Sequence, residues 1–369
     1  MKFRWLLAMA RCAALIALMT TAAHAEPYLA VAQGFKCTQC HVNPTGGGLR
    51  NAFGNVFAQT QLPAHHADSG GDVWGGQLAR FLAIGADLRF DAQAQQQPHA
   101  KTVDAFQMEQ TRLYVGASVI PERLLVYVDE QLAPGGALNR EAYGLYWSAD
   151  HDWYLKGGQM YLPFGLRLQD QSAFVKEITA IKMATPDQGV EFGLLKGHWD
   201  AQLALSNGTA GGAGTGNGRQ SSVQLAWVEN AWRVGAAANY NDAALSGSRA
   251  AYGLFGGLRT GPLAWLGELD VVDDRSLPGA GGTAGVRSLA ALAEANWTLA
   301  RGHNLKITAE YLDPDRRVPH DQQTRWSLLY EFTPVQYLQL RAGVRSNDGI
   351  PQLDSEHARL YFLQLHGYF

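Results

Sequence analysis

The sequence predicts an all-β protein whose main body is a closed antiparallel barrel of sixteen strands, preceded by a small helical segment. Three observations lead to this prediction. From Gln77 onward apolar residues recur at every second position, as they do in β-strands. Along the same region short turns alternate with long polar or glycine-rich connections. The final residues also alternate and end on Phe369.

Composition limits the class of protein. The chain has 369 residues, of which 47% are apolar and 17% charged, with 30 Lys and Arg against 33 Asp and Glu. The 41 glycines and the 10% of aromatic residues favour strands and turns over helices. Because phosphate binding needs a basic face, the near-neutral charge argues against a nucleic-acid partner. The high apolar content and small net charge exclude a disordered chain.

Residues 1–25 have the pattern of a secretory signal peptide. Lys2 and Arg4 give a positive start, residues 13–19 form an apolar run, and residues 23–25 supply the small side chains of a cleavage site. The run is too short for a membrane-spanning helix. We therefore expect this segment to be removed, which would leave two of the three cysteines in the mature chain.

Those two cysteines lie in Cys37-Thr38-Gln39-Cys40-His41, which has the spacing of covalent c-type haem attachment. The thiols of Cys37 and Cys40 add to the two vinyl groups of the porphyrin, and His41 then reaches the iron as the proximal ligand. A thioredoxin-like pair would need a βαβ context, and a zinc site would need two more ligands nearby. We therefore predict one covalent haem c in residues 26–76.

The motif does not fix the sixth ligand of the iron. Residues 26–76 contain no methionine, and their other histidines are His65 and His66. Either histidine would give a bis-histidine iron, whose potential is lower than that with a methionine ligand. Met108 and Met160 of the barrel, and an iron without a sixth protein ligand, remain alternatives.

Two features after the motif suit a flat cofactor. Gly46-Gly47-Gly48 permits positive φ and a close approach of the backbone to a macrocycle, although an ordinary turn has the same composition. A predicted helix over residues 49–61 then carries one apolar face, formed by Leu49, Ala52, Phe53, Val56 and Phe57. We expect this face to pack either on the haem or in a plain core.

The connections within residues 77–369 set the number of strands. Seven short turns separated by eight longer connections imply sixteen strands. The short turns centre near residues 121, 150, 197, 229, 261, 302 and 334, and the longer connections are 92–102, 133–139, 162–187, 207–220, 241–248, 273–284, 313–323 and 346–356. Short turns at one end and long loops at the other are typical of outer-membrane barrels. An even number of strands places both ends of the barrel on the short-turn side.

Two further patterns agree with a barrel surrounded by outer-membrane lipid. Tryptophans cluster near the short turns, as in an interfacial aromatic girdle. Charges of both signs occupy inward positions, which predicts a polar lumen, and the loop 162–187 is predicted to enter the pore or to lie over its rim. The inward charges are Asp87, Arg89, Arg112, Lys156, Glu191, Asp200, Arg233, Glu268, Asp270, Glu294, Lys306, Glu310, Glu331, Arg341 and Arg345.

Catalytic motifs are missing from the sequence. It contains no phosphate-binding loop followed by Lys and Ser/Thr, no His-Glu-x-x-His and no Gly-x-Ser-x-Gly. No catalytic residues are therefore predicted beyond the haem residues, and whether the protein is an enzyme stays open.

In architecture the chain resembles the fused monohaem cytochrome–porins, best known as outer-membrane iron oxidases of ferrous-iron-oxidising bacteria. The resemblance rests on Pro27-Tyr28-Leu29-Ala30, on the motif at residues 37–41 and on the barrel-like remainder. It implies a haem domain in or against a sixteen-stranded barrel, an extracellular electron donor and a periplasmic c-type cytochrome as acceptor. The haem roles carry over to Cys37, Cys40 and His41, whereas no motif for substrate contacts matches.

The leading functional hypothesis is therefore electron transfer across the outer membrane, with Fe²⁺ as the leading donor and the direction of flow left open. Such a protein would be a ferrous iron:cytochrome c oxidoreductase. Because the apolar band of a barrel is about 25 Å tall, a haem outside the membrane cannot bridge it, so the haem lies in the lumen or a small redox species diffuses to it. The alternatives are a solute porin whose haem segment is a plug, sensor or docking module, and a periplasmic electron carrier tethered to a barrel.

Overall fold

The computed structural model of the protein describes residues 26–67, 73–212, 218–243, 247–279, 284–349 and 357–369. The predicted signal peptide, residues 1–25, lies outside the described residues. None of the helices in the described ranges is long and apolar enough to cross a membrane.

Sixteen antiparallel strands form one closed barrel, which confirms the predicted fold class. Strand β17 pairs with β2 and closes the ring, with Tyr368 opposite Asp87. A three-residue strand, β1, pairs with β2 beside this closure. The strands are β1 Gln77–Ala79, β2 Leu82–Gln96, β3 Val103–Ile120, β4 Leu124–Ala133, β5 Leu138–Trp147, β6 Trp153–Met160, β7 Asp187–Leu194, β8 Trp199–Ser206, β9 Gln220–Val228, β10 Trp232–Asn241, β11 Arg249–Thr260, β12 Leu263–Pro278, β13 Ala284–Ala300, β14 His303–Asp313, β15 Gln323–Val335, β16 Leu338–Asp348 and β17 Arg359–Tyr368.

Short and long connections alternate along most of these strands, as predicted. The predicted loops 92–102 and 273–284 are shorter than expected, because β2 continues to Gln96 and β12 to Pro278. The β4–β5 connection, predicted over 133–139, is only residues 134–137 and falls within the length range of the short turns. The last short turn lies two residues beyond the predicted position, because β15 continues through Pro334 and ends at Val335. Proline is tolerated there because the strand is at its end, where one ladder hydrogen bond is dispensable.

Burial alternates along many of the strands in the sense of a membrane barrel, and β12 shows this clearly. In β12, Glu268 and Asp270 point inward and are 3% and 0% exposed, whereas Leu269 between them is 44% exposed. A soluble sandwich would bury the leucine and expose the acids, so the outer face of this barrel is built for lipid. Tryptophans near the short turns, such as Trp199 and Trp265, are also exposed on the outside.

The N-terminal segment, residues 26–67, lies at the short-turn end of the lumen. It contains helix α1 (Pro27–Gln33), a 3₁₀ turn and helix α2 (Ala52–Thr60). Pro27 begins α1 and Gly34 ends it in the left-handed conformation, at φ 70°. Lys36 ties the segment to the β7–β8 turn, since its Nζ donates to three backbone carbonyls of residues 195–199.

The loop between β6 and β7 also enters the lumen, which was one of its two predicted positions. It contains helix α3 (Phe174–Thr179), and its Phe164, Val175 and Lys176 are at most 1% exposed. We call residues 162–187 the inward loop. The N-terminal segment and the inward loop thus meet inside the barrel.

Candidate functional site

A cavity lies between the N-terminal segment and the barrel wall, and we call it the motif cavity because Cys37, Cys40 and His41 line it. It encloses about 1590 Å³, including the space at its opening to solvent. The wall contributes charged and aromatic side chains, and the inward loop contributes a further side. Among these residues are Asp87, Arg89, Tyr114, Asp200, Arg233, Phe255, His366 and Tyr368 from the wall, with Gly165, Leu166, Arg167 and Gln169 from the loop.

The backbone of the motif is folded tightly. Cys37 begins a 3₁₀ turn, and its carbonyl accepts hydrogen bonds from the amides of Cys40 and His41 at 3.2 and 2.9 Å. The two thiols are free rather than joined in a disulfide. Helix α2 packs directly on this turn, because a Cβ at Gly54 would lie 2.0 Å from the carbonyl oxygen of Cys40. Only glycine allows this approach.

Burial makes the cysteines poor nucleophiles in their free form. It raises the pKa of the Cys37 thiol to about 11, and the nearby Asp200 carboxylate acts in the same direction. Burial also raises the pKa of Cys40, although the Arg50 guanidinium opposes it. A reactive redox pair needs a lowered thiol pKa. The site therefore does not have the electrostatics of a thioredoxin-like pair.

His41 is held as a neutral imidazole. Its pKa is lowered to about 3, mainly by burial and also by the cations of Arg50 and Arg167, against a smaller opposing effect of the backbone at Gly48 and Leu49. Its Nδ1 is buried and has no hydrogen-bond partner among the described residues. A neutral imidazole with an uncommitted ring nitrogen is the form that binds a metal. No three or more His, Cys, Asp or Glu side chains in the described ranges converge as a metal site without a cofactor.

The three glycines make close approaches, but to protein groups. Gly46, Gly47 and Gly48 have φ of 88°, 71° and 64°. A Cβ on Gly48 would lie 2.0 Å from the hydroxyl of Tyr127, and that hydroxyl accepts a hydrogen bond from the Leu49 amide at 3.2 Å. Gly48 therefore lets the segment contact the barrel wall, whereas Gly47 lies against Arg167 of the inward loop and Gly46 against Cys37 of the segment itself.

Helix α2 buries its polar side. Phe53 and Val56 are 49% and 42% exposed, whereas Asn55 and Gln59 are 4% and 3% exposed. The amide nitrogens of Asn55 and Gln59 donate to backbone carbonyls at residues 75 and 74, at 3.2 and 2.6 Å. Of the predicted apolar face, Phe53 and Val56 are therefore not part of a protein core, whereas Leu49 is buried, and packing of this face on a haem stays a prediction. Phe57, one turn along, does line the motif cavity.

The sixth-ligand candidates lie outside the motif cavity. His65 and His66 are exposed, and the His65 amide donates to the carbonyl of Pro334 near the end of β15 at 3.1 Å. Met108 in β3 and Met160 at the end of β6 do not line the cavity either.

Sequence reasoning missed His366, a buried histidine in the wall of the motif cavity. Its Nε2 lies 2.9 Å from Asp87 Oδ2, and its Nδ1 lies 3.1 Å from Gln339 Oε1. The sequence did contain a signal for this residue. Side chains two positions apart in a strand lie on the same face, and His366 is two positions after Gln364, which faces the lumen. The residue was hidden because the terminal strand was interpreted only as an assembly signal.

The fold resembles that of solved outer-membrane porins. It matches the outer membrane channel DcaP of Acinetobacter baumannii with a TM-score of 0.61 and 11% identity over 78% of this chain and 97% of that one. The anion-selective porin from Comamonas acidovorans gives 0.58 and 9% over 78% and 99%. The in-vitro folded OmpT of Vibrio cholerae gives 0.59 and 10% over 78% and 100%.

At these identities the likeness shows the porin barrel fold alone. No protein-family model matches the sequence. No curated protein matches it either.

Proposed function

We propose that this protein transfers electrons across the bacterial outer membrane. One haem c, bound to Cys37 and Cys40 with His41 as proximal ligand, would exchange electrons with an extracellular redox partner and with a periplasmic c-type cytochrome. Fe²⁺ is the leading donor. The observation that supports this function best is that the Cys-x-x-Cys-His segment lines a cavity inside a barrel of the porin fold.

The residues of the motif cavity fit a covalent haem. Two thiols and one neutral imidazole lie on one side of it, and Phe57 and Phe255 provide apolar surface. When bound, a haem supplies one-electron chemistry at its iron. The chain's own part is to hold the imidazole neutral, to keep the thiols in one turn and to exclude bulk water from the wall side.

The position of the motif favours a conduit over a merely tethered carrier. Tyr28 donates to the lumenal Glu331 at 3.3 Å, and Val31 is buried against β11 and β12. The segment thus lies within the barrel, so that the electron path to the outer surface is shortened. The inward loop lines the same cavity and stands between it and the long-loop end.

The charges of the lumen bear on the donor. Several of its carboxylates are paired with cations, for example Glu191 with Lys156 at 2.8 Å and Glu331 with Arg341 at 3.1 Å. Fe²⁺ prefers carboxylate and water ligands. Because much of the negative charge is neutralised, we expect small donors to be admitted by size, with net charge a lesser factor.

The exposed side of α2 suits the periplasmic partner. Phe53 and Val56 form an apolar patch at the short-turn end, on a helix that contacts the Cys40 carbonyl through Gly54. Phe35, Phe53 and Phe57 pack with ring centroids 5.6 to 6.2 Å apart. We propose that a soluble c-type cytochrome docks on this patch, where its haem edge comes closest to the motif.

The decisive experiment is a proteoliposome assay with Fe²⁺ outside and oxidised cytochrome c inside. We expect internal cytochrome reduction with the wild type, at least a tenfold loss with His41→Ala, and little change with His65→Ala, an exposed histidine of the same segment. A pyridine haemochrome assay without covalent haem in the wild type would overturn the function. If haem is present but Fe²⁺ does not reduce it, the result would contradict only Fe²⁺ as the donor and not the electron-transfer function.

A solute porin with a haem-bearing plug is the second candidate, favoured by the fold likeness to porins. It predicts liposome swelling with sugars that does not depend on Cys37. The N-terminal segment and the inward loop both occupy the lumen, so we expect slow swelling. Rapid swelling that is equal in wild type and Cys37→Ala would favour the porin.

A further inference from the structure

One guanidinium in the motif cavity lacks an ionic partner. Four arginines line this cavity. Arg89 and Arg167 each pair with a carboxylate at 2.8 Å, and Arg233 donates to two backbone carbonyls at 2.9 and 2.6 Å. Within the described ranges Arg50 has no hydrogen bond or ion pair through its side chain, and its guanidinium stacks over the ring of Tyr368, 4.7 Å from the centroid.

Arg50 stands next to the proximal ligand of the proposed haem. His41 and Arg50 are directly opposite each other in an antiparallel bridge. The flanking hydrogen bonds run from Val42 N to Leu49 O and from Asn51 N to Cys40 O, both at 3.0 Å. Residues opposite each other in such a pair project from the same face, with Cβ atoms about 4.5–5.5 Å apart. Both side chains line the motif cavity, so the guanidinium lies beside any planar group that His41 binds.

A haem offers the group that this cation lacks. Besides the two vinyl groups that form thioethers, the porphyrin carries two propionates, which are ionised carboxylates at neutral pH. Arginine binds carboxylates through two parallel hydrogen bonds, and a partly buried cation without a partner is costly. Among the described residues, Arg50 is the arginine of the cavity whose guanidinium N–H groups have no other acceptor, so it can bind a carboxylate in this way.

We propose that Arg50 binds a propionate of the haem that Cys37, Cys40 and His41 would hold. This inference rests on the proposed haem. A cation held against a propionate also disfavours the ferric state, which carries one more positive charge than the ferrous state. Arg50 is thus a binding residue that also sets the potential.

The test compares Arg50→Gln with Arg80→Gln, which removes an equal charge from an exposed arginine of the β1–β2 turn outside the cavity. In a redox titration we expect Arg50→Gln to lower the midpoint potential and Arg80→Gln to leave it unchanged. In resonance Raman spectra we expect the propionate bending band to shift only in Arg50→Gln. Arg50→Lys, which keeps the charge without the fork, should shift the band and lower the potential less.

Three outcomes separate the claims. A haem-containing wild type whose potential and propionate band match those of Arg50→Gln would overturn the role of Arg50 and leave the electron conduit standing. A wild type without covalent haem would overturn the proposed function first. If the Arg50→Gln variant does not fold into a heat-modifiable barrel, Arg50→Lys provides the test. A propionate band in Arg50→Lys at the wild-type position would then overturn the role of Arg50 in binding the propionate.

Discussion

The two parts of the chain that enter the lumen are held there by different groups. The inward loop depends on buried charged side chains. Lys176 lies 3.2 Å from Glu268, with both side chains fully buried, and Arg345 pairs with Asp170. The Leu166 amide adds a hydrogen bond to Glu268 at 2.8 Å. Two anchors of the loop, Lys176 and the Leu166 amide, therefore depend on the single carboxylate of Glu268.

The N-terminal segment is held largely through its backbone. Arg233 donates to the carbonyls of Ala30 and Phe35, and Arg301 donates to those of Thr60 and Pro63. Each part also has anchors of the other kind: Glu26 of the segment pairs with Lys306 and Arg341, and Arg249 donates to the loop carbonyls of Ile178 and Thr179. The comparison teaches that loss of the fully buried Lys176–Glu268 pair should cost the loop more than loss of one of several backbone contacts costs the segment.

The largest expected effect tests the loop. Lys176→Ala leaves Glu268 buried without its cation, which costs about 3–5 kcal/mol and should release the loop from the lumen. We expect the single-channel conductance in planar bilayers to rise severalfold. Lys182→Ala is the matched control, because Lys182 pairs with Glu177 on the same loop at 2.7 Å in an exposed position. Such a pair contributes about 0–1 kcal/mol, so unchanged conductance is expected. Equal conductance of the two variants would contradict the comparison.

A smaller effect tests the segment. Arg301→Ala removes donors to the carbonyls of Thr60 and Pro63, at about 1–2 kcal/mol in total, and leaves the other anchors in place. We expect modestly faster proteolysis near residues 60–67, with the remaining segment protected. Arg316→Ala, an exposed arginine of a long loop, is the control and should not alter cleavage. Complete release of the segment by Arg301→Ala would show that the segment depends on this one arginine and is not held by several independent contacts.

The smallest effect concerns pH. Burial raises the pKa of Asp170, but Arg345 and Arg325 lower it by more, so its stabilisation is present above the unfolded pKa and is lost only in strong acid. Burial lowers the pKa of Lys176, but Glu268, Tyr161 and Asp270 together raise it by more, so its stabilisation is lost only in strong base. We therefore expect conductance to stay constant between about pH 5 and 9. A step within this window would place the loop under the control of another group.

The sequence predicted the barrel because its signal is repeated in every strand. A period of two, seven short turns and eight long loops each specify the same architecture, so an error of two residues at Pro334 does not change it. Cys37, Cys40 and His41 were found because the motif is local.

The rest of the site depends on contacts between distant parts of the chain. The polarity of α2 was predicted wrongly because Asn55 and Gln59 bind backbone carbonyls about fifteen to twenty residues away, which leave no pattern in the side chains. His366 meets the motif cavity only when β17 closes against β2. Arg50 meets His41 through a local bridge, which the sequence pattern alone did not indicate.

The contact between the Gly48 backbone and Tyr127 has a consequence for biogenesis. Residues that come early in the chain touch β4 through Tyr127, β10 through Arg233 and β15 through Glu331, so the segment is surrounded on several sides by strands made after it. Under the proposed function, this enclosure predicts that the haem is attached to the thiols before the barrel closes around the N-terminal segment.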